Sequence, residues 1–369
     1  MKKSSEKQTK SAKKPAKKAV KSEKYLPKKK YKSLLGEKET EHAIVLIKDF
    51  FQMALSTELN LTRVTAPLFV RSATGVNDDL NGVERPVSFP VKGLNEERLE
   101  IVQSLAKWKR LKVTDLKMTQ GFGIYTDMNA IRPDDDIDAI HSIYVDQWDW
   151  EMAIDEKDRT IFYLHEVVDK IYRCIKRTEF YIYDRYDQIK PVLPEKVTFL
   201  YSDDLQREYP DLTPKEREAI VTKKYGAVFI CGIGGKLPDG SIHDGRAPDY
   251  DDWITESGDG HRGLNGDLLV WDDILGIPLE LSSMGIRVNP HSLKLQLKER
   301  DMEERSKLMF HSKLLKGELV QTIGGGIGQS RLCMFLLRKA HIGETQVSIW
   351  PEAIYQECKK HGIKLLQMK

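Results

Sequence analysis

Hydrophobic positions at helical spacing begin the folded part of the chain. Apolar residues recur every three or four positions between Thr40 and Leu59, which predicts an amphipathic helix with Thr40 as its N-cap. The next apolar segment, residues 61–70, contains Pro67. Because proline cannot donate a hydrogen bond to a sheet, this segment is predicted to be an edge strand or an irregular strand.

Alternation of side chains predicts the strands that follow. Residues 121–131 form one extended segment that ends just before Arg132. Residues 143–149 alternate so that Gln147 and Asp149 share one face of a second strand. Further strands are predicted at residues 225–231, 263–271 and 278–288.

A glycine-rich stretch near the C-terminus, residues 321–332, leads into an apolar run with helical spacing. Gly324, Gly326 and Gly328 let a flat ligand lie against bare backbone, and Arg331 follows where it can reach a phosphate. The dinucleotide-binding pattern fails because glutamine replaces its last glycine, and no Walker lysine is present. The alternative interpretation is a glycine-rich turn before a core helix.

Charge is unevenly distributed along the 369 residues, whose net charge is +3. Residues 1–32 contain fourteen lysines and two glutamates, a net of +12, so the remainder carries −9. This segment has too few apolar side chains to offset its ordering entropy, and we predict a disordered tail. Such a tail either binds polyanions such as RNA or is solvated and takes no part in catalysis.

Cysteine usage and hydropathy indicate the cellular compartment. Cys174, Cys231, Cys333 and Cys358 have neither C-x-x-C nor metal-ligand spacing, so we expect reduced cysteines in a cytoplasmic protein. The sequence has no apolar run of transmembrane length and no signal-peptide segment, so no membrane partner is expected. The hydrophobic content of 40% is that of a globular protein.

Ionisable residues occur at the ends of the predicted strands. The planar guanidinium of Arg132 suits a phosphate or a carboxylate. The basic stretch that contains Ser104 and Lys109 is either an anion site or a solvated face. Asp78 and Asp79 form either a carboxylate pair that attracts a cation or an amine, or a polar turn.

Acidic residues in the C-terminal half suggest metal and substrate contacts. Asp267 and Glu280 belong to neighbouring predicted strands, where paired acids can hold Mg²⁺ bridged to ATP phosphates. Asp251 lies in an acidic segment that is either a substrate-binding loop or a solvated one. The polar residues that follow Glu280 along the chain are Ser282, Ser283 and Arg287.

Eight stretches in order resemble the ammonia-dependent asparagine synthetases, or aspartate–ammonia ligases: QSLAKWKR, RPD, YVDQWDWE, GIGGKL, RAPDYDDW, GLNGD, ELSSMGIRV and QTIGGGIGQSRL. The helix–strand segment, the Arg132 strand and the glycine-rich stretch also resemble the three signatures of the class II aminoacyl-tRNA synthetases. The resemblance extends from about residue 34 to the end. It implies an α+β fold, with an antiparallel sheet of six to eight strands flanked by helices. It further implies a homodimer in which residues 33–369 form a single catalytic domain.

The resemblance implies an enzyme that adenylates L-aspartate with ATP and then lets ammonia displace AMP to give asparagine. Arg132 would hold the α-phosphate and the reacting carboxylate, and Arg331 would contact ATP above Gly324, Gly326 and Gly328. Asp267 and Glu280 would hold Mg²⁺. Asp78 would attract ammonium, with Asp251 nearby. The residues implied to bind aspartate are Ser104, Lys109, Gln147, Asp149, Asp251, Ser282, Ser283 and Arg287.

Two alternative functions are a minimal aspartyl- or asparaginyl-tRNA synthetase and a non-catalytic regulatory paralogue. No separate oligonucleotide-binding module precedes the core, so nucleic acid is not a required partner. Against the paralogue, both candidate ATP arginines and both candidate metal acids are present. A glutamine-dependent synthetase is unsupported because no cysteine nucleophile follows Met1.

Overall fold

The computed structural model describes residues 27, 30–78, 80 and 84–366. Most of the predicted tail, residues 1–32, therefore lies outside the described residues, as does Asp79. The α-helices are α1 Glu37–Glu58, α2 Ala106–Asp115, α3 Ile161–Arg185, α4 Ser202–Glu208, α5 Pro214–Tyr225, α6 Pro290–Glu299, α7 Met309–Leu315, α8 Gln329–Leu336 and α9 Glu352–Lys360.

Strands from both halves of the chain build the sheets. They are β1 Leu61–Arg63, β2 Phe69–Arg71, β3 Ser88–Val91, β4 Glu97–Ile101, β5 Gly123–Ile131, β6 Tyr144–Ala153, β7 Thr198–Tyr201, β8 Ala227–Cys231, β9 Glu256–Gly258, β10 His261–Arg262, β11 Asn265–Asp272, β12 Ile277–Ile286 and β13 Thr322–Gly328.

The main sheet has eight strands in the order β1-β5-β6-β13-β12-β11-β8-β7. Its six central strands are antiparallel, which confirms the predicted α+β architecture. The two edge strands differ from that prediction, because β1 pairs parallel to β5 and β7 pairs parallel to β8. A three-stranded sheet, β2-β4-β3, and a β9–β10 pair complete the strands.

Helix α1 confirms the predicted amphipathic helix but begins three residues before Thr40. Gly36 is the N-cap, and its backbone N–H donates to the Glu39 carboxylate at 2.9 Å. Thr40 lies within the first turn, where its hydroxyl donates to the Gly36 carbonyl at 2.8 Å. A threonine hydroxyl can bond within the helix as well as cap it, so sequence alone placed the start wrongly.

Pro67 divides the predicted 61–70 strand in two. β1 pairs with β5 in the main sheet, whereas β2 pairs with β4 in the small sheet. A proline has no N–H for a sheet, so the chain leaves one sheet before Pro67 and enters another after it. After this break the chain continues from β2 to Asp78. This segment contacts Gln103, which lies just before α2, and Phe310 of α7.

The main core lies under one face of the eight-stranded sheet, where α1, α3 and α8 pack. Trp148 and Trp150 of β6 point into this core and are almost fully buried. Gln147, Asp149 and Glu151 alternate with these tryptophans along β6 and therefore point to the opposite face. Among the described residues, no helix is both long enough and apolar enough to cross a bilayer.

Candidate active site

A cavity of about 450 Å³ lies over the face of the sheet opposite the main core. Strands β6, β12 and β13 form its floor, and the start of α2, residues 132–146 and residues 244–251 form its walls. Most of the predicted site residues line it, although they come from distant parts of the chain. They are Asp78, Ser104, Lys109, Arg132, Gln147, Asp149, Asp251, Glu280, Ser282, Ser283, Arg287, Gly326, Gly328 and Arg331.

Two predicted residues do not line the cavity. Gly324 lies beneath it, where an added Cβ would overlap the carboxylate of Glu151. Asp267 is buried behind Arg246, which donates to its carboxylate and to Ser283 Oγ, the latter at 2.9 Å. Asp267 pairs with Ser283, and Glu280 pairs with Leu269, two residues further along β11.

The glycines of β13 make room for the polar side chains of β6. Gly328, Gly326 and Gly324 pair in register with Gln147, Asp149 and Glu151 respectively. None of these glycines has a positive φ. Gly324 and Gly326 are required by close approach rather than by backbone conformation, because a Cβ there would overlap Glu151 and Gln147. A Cβ at Gly328 would instead meet the side chain of Arg331 at 3.3 Å.

Lys109 enters the cavity from α2 and is almost fully buried. Its ammonium donates to the Asp149 carboxylate and to the Gly325 carbonyl, the latter at 2.8 Å. Burial lowers the pKa of Lys109, and the negative charges of Asp149 and Glu151 oppose this shift. Asp149 Oδ2 has no hydrogen-bond partner among the described residues, so this carboxylate can accept a further donor.

Arg287 lies beside Lys109 on the segment after β12 and is held from two sides. Its Nε and Nη2 donate to Glu151 at 3.1 Å and 2.8 Å, and its Nη1 donates to Asp251. The Thr322 hydroxyl donates to Glu151 at 2.6 Å. Burial opposes the charge of Arg287, but the two carboxylates outweigh it and raise the pKa of the guanidinium.

Arg132 and Arg331 occupy another part of the cavity. Arg132 donates to the Gln103 carbonyl through Nη2 at 3.0 Å, and Arg331 donates to the Glu280 carbonyl through Nη1 at 3.1 Å. Burial raises the pKa of Asp135, and the charges of both arginines oppose that shift, which places them near one carboxylate. Each retains N–H groups without a partner among the described residues, so each can bind an anion.

Three carboxylates surround Arg246. Burial raises the pKa of Asp267 to about 6, and although Arg246 lowers it, the negative charges of Glu280 and Asp244 add to the rise. Lys215 pairs with Asp244 at 3.3 Å and Arg331 lies 4.0 Å from the Glu280 carboxylate, so this corner gathers carboxylate oxygens among cations without a net excess of negative charge. Hard divalent cations prefer oxygen donors of this kind.

Carboxylates outnumber cations around the cavity as a whole. Asp and Glu contribute ten lining residues, whereas Lys and Arg contribute five. This balance favours ligands that bring positive charge, such as an ammonium group or a metal ion, together with anions held at the arginines.

Sequence analysis did not select Glu151 or Arg246, although both hold site residues in place. The sequence pattern could have identified Glu151, because this residue continues the alternation of Gln147 and Asp149 along β6. Arg246 had no comparable signal. Its role depends on contacts with Asp267 and Ser283, which follow it by 21 and 37 residues.

We predict different effects for alanine at two neighbouring glycines. In Gly326→Ala, the new methyl overlaps only the end of the Gln147 side chain, which can move, so we expect modest destabilisation. In Gly325→Ala, the methyl lies 2.5 Å from Met284 Cβ and 2.7 Å from the Ser283 carbonyl oxygen, so we expect major destabilisation. Thermal unfolding would separate the two variants, and equal unfolding temperatures would contradict this interpretation.

Sequence comparison gives the family. The aspartate–ammonia ligase family profile matches residues 38–362. A protein named aspartate–ammonia ligase from Parabacteroides distasonis is 58% identical over 336 residues, which cover 91% of this chain and 97% of the relative. A protein of the same name from Clostridium perfringens is 55% identical over 336 residues, with the same two coverages of 91% and 97%.

Structural comparison identifies the fold and agrees with that match. Asparaginyl-tRNA synthetase from Pyrococcus horikoshii, solved with asparaginyl-adenylate, has a TM-score of 0.61 at 15% identity, covering 84% of this chain and 68% of that one. A putative aspartyl-tRNA synthetase from Leishmania major has a TM-score of 0.59 at 13% identity, covering 85% and 65%. The fold is therefore that of the class II synthetases, and the chain belongs to the aspartate–ammonia ligase family.

Proposed function

We propose that this protein joins ammonia to L-aspartate at the expense of ATP, forming L-asparagine, AMP and pyrophosphate. The observation that carries the proposal is the set of side chains that line this cavity. It combines two arginines suited to phosphate, Arg132 and Arg331, with a buried cation pair suited to a carboxylate, Lys109 and Arg287.

Adenylation explains why the proposed reaction uses ATP. A carboxylate is a poor electrophile, so its amidation requires a better leaving group. Attack of the aspartate side-chain carboxylate on the α-phosphorus expels pyrophosphate and forms β-aspartyl-AMP. Ammonia then attacks the activated carbonyl carbon and expels AMP. Both steps depend on positioning and on charge stabilisation, which fixed guanidinium groups supply.

In the proposed binding mode, the two carboxylates of aspartate are held by different cations of the cavity. We propose that Lys109 and Arg287 hold the α-carboxylate, while Asp149 and Gln147 accept the α-amino group. The side-chain carboxylate then extends toward Arg132, which also holds the α-phosphate. Side chains that complete the aspartate pocket in this proposal are Ser104, Asp251, Ser282 and Ser283.

We propose that Arg331 contacts the nucleotide at the Gly326–Gly328 backbone and that Glu280 and Asp267 hold Mg²⁺. The residues fit such an ion, because Glu280, Asp267 and Asp244 bring carboxylate oxygens together in one corner. When bound, Mg²⁺ would neutralise charge on the ATP phosphates. Glu280 faces the cavity directly, whereas Asp267 would reach the ion only with Arg246 displaced.

Asp78 is proposed to attract ammonium and to orient the released ammonia. It is 3% exposed, lines the cavity and follows a short segment fixed by Gln103, whose amide donates to its carbonyl at 3.1 Å. In Asp78→Asn we expect the apparent KM for ammonium to rise about tenfold or more, with aspartate-dependent pyrophosphate release retained. An unchanged ammonium requirement would remove Asp78 from the amine site.

A product balance tests the proposed function. The purified protein is incubated with ATP and Mg²⁺, first with aspartate alone and then with aspartate and ammonium. We expect equal yields of pyrophosphate, AMP and asparagine in turnover amounts only when ammonium is present. Pyrophosphate release that ignores ammonium but responds to tRNA would favour a tRNA synthetase, and no release at all would favour a non-catalytic paralogue.

We also propose a homodimer formed through α1 and β1, in the cytoplasm where the four buried free cysteines stay reduced. Val45 and Met53 of α1 are 54% and 59% exposed, and β1 is an edge strand of the main sheet. In Met53→Glu we expect sedimentation to change from dimer to monomer, because a buried charge would oppose association. The control is Phe162→Glu, on an apolar residue of α3 that is 76% exposed, which should stay dimeric. A monomeric wild type would contradict this proposal.

A further inference from the structure

A buried group of charged side chains lies behind the cavity, outside the residues assigned to substrates. Asp249 is fully buried, and its Oδ2 accepts from Lys107 Nζ at 3.0 Å, from His311 Nε2 at 2.8 Å and from Arg305 Nη1 at 3.4 Å. Lys107 and His311 are also almost fully buried. Since burial opposes ionisation, the neighbouring positive charges must hold the pKa of Asp249 below its usual value.

The Asp249 group connects three segments that deliver residues to the cavity. Asp249 immediately precedes Tyr250 and Asp251, which line the cavity. Lys107 lies two positions before Lys109 on α2. His311, on α7, faces the third segment, which runs from Thr74 to Asp78.

Contact between α7 and the Thr74–Asp78 segment is close and involves several atoms. The Phe310 backbone N–H donates to the Thr74 carbonyl at 3.3 Å, and Phe310 and Val76 belong to one buried apolar cluster. A Cβ built on Gly75 would lie 2.8 Å from Nδ1 of His311, so the imidazole packs directly on this backbone. The position of the ring therefore sets where the segment ending at Asp78 lies.

We propose that His311, oriented by Asp249, is a positioning residue for the ammonium step. This inference rests on the proposed function and assigns a role to side chains that do not line the cavity. The bond from Nε2 fixes the ring, the ring supports Gly75, and Gly75 fixes the path of the chain to Asp78. Lys107 and Arg305 keep Asp249 in place when His311 changes, so the aspartate and ATP contacts are expected to persist.

Two amide variants of His311 provide a matched test. In His311→Gln, the amide nitrogen can take the place of Nε2 and donate to Asp249, whereas in His311→Asn it is too short to do so. We expect His311→Asn to raise the apparent KM for ammonium about tenfold, because small displacements of a reacting group are costly. His311→Gln should stay near the wild type, and both should keep the wild-type KM for ATP and the rate of aspartate-dependent pyrophosphate release.

Thermal unfolding of each variant accompanies the kinetics. The proposal is overturned if His311→Asn has a lower unfolding temperature but the wild-type KM for ammonium. It is also overturned if the KM for ammonium rises equally in His311→Asn and His311→Gln. If His311→Asn does not fold, Gly75→Ala replaces it, because its methyl would lie 2.8 Å from the imidazole and its φ of +73° disfavours alanine, so the path of the Thr74–Asp78 segment changes directly. An unchanged ammonium KM there would also overturn the proposal. A wild type without ammonium-dependent asparagine formation would instead refute the proposed function itself.

Discussion

Arg132→Ala is expected to reduce the rate of aspartate-dependent pyrophosphate release by about 10²–10³-fold, the usual loss when one preorganised donor to a developing charge is removed. In the proposed reaction this guanidinium contacts both the α-phosphate and the attacking carboxylate. Alanine removes both contacts, while the fold loses two hydrogen bonds to the Gln103 carbonyl, of 3.3 Å from Nε and 3.0 Å from Nη2. Stopped-flow or exchange measurements of the adenylation step would check the rate.

Arg85→Ala is the control for Arg132→Ala. Arg85 pairs with Asp134, two residues after Arg132, but its side chain is 80% exposed. Its loss removes an equal charge from the same neighbourhood without entering the cavity, so we expect nearly normal adenylation. A wild-type rate of adenylation in Arg132→Ala would contradict the assignment of Arg132 to the α-phosphate.

Glu151→Gln is expected to lower the free energy of unfolding at neutral pH by about 3 kcal/mol and to weaken aspartate binding. The substitution keeps the shape of the side chain but leaves Arg287 buried with one carboxylate instead of two. The guanidinium can then tilt away from the position in which it holds the α-carboxylate. Denaturant unfolding and the aspartate KM would measure the two effects.

The effect of Glu151→Gln should depend on pH in a defined direction. Burial alone would raise the pKa of Glu151, but Arg287 and Lys109 outweigh it and hold the pKa below the ordinary value of 4.5. The stabilisation is thus fully present above pH 4.5 and declines as the pH falls further. Glu195→Gln, at a side chain that is 90% exposed, is the control and should change stability by less than about 1 kcal/mol. Equal stability of Glu151→Gln and the wild type at pH 7 would contradict this account.

Local patterns predicted a substantial part of the fold and of the site. The alternation of β6 correctly placed Gln147 and Asp149 on one face, and the apolar run after the glycine-rich stretch is the predicted helix, α8, which carries Arg331. The glycine-rich stretch itself, for which a turn was the alternative, forms strand β13. These features depend on neighbours along the chain, so sequence alone expresses them. The resemblance to the ligase family then pointed to further residues that line the cavity, among them Lys109, Arg132 and Arg287.

Features that depend on contacts between residues far apart in the sequence could not be predicted from local patterns. The parallel edge strands follow from how β1 and β7 pair with β5 and β8, and Asp267 is buried behind Arg246, which lies 21 residues before it. The Asp249 group joins residues that are 142 and 62 positions apart, and neither spacing leaves a local signal. Only the folded chain brings these residues together.

Transfer of oxygen-18 is the most direct measurement of the central claim, that aspartate is activated as its β-adenylate. Aspartate labelled in its side-chain carboxylate would be converted with ATP and ammonium, and the AMP and pyrophosphate would be analysed by mass spectrometry. We expect one labelled oxygen in AMP and none in pyrophosphate, because the attacking carboxylate oxygen stays on the α-phosphorus when ammonia expels AMP. Unlabelled AMP formed together with asparagine would contradict the adenylate mechanism.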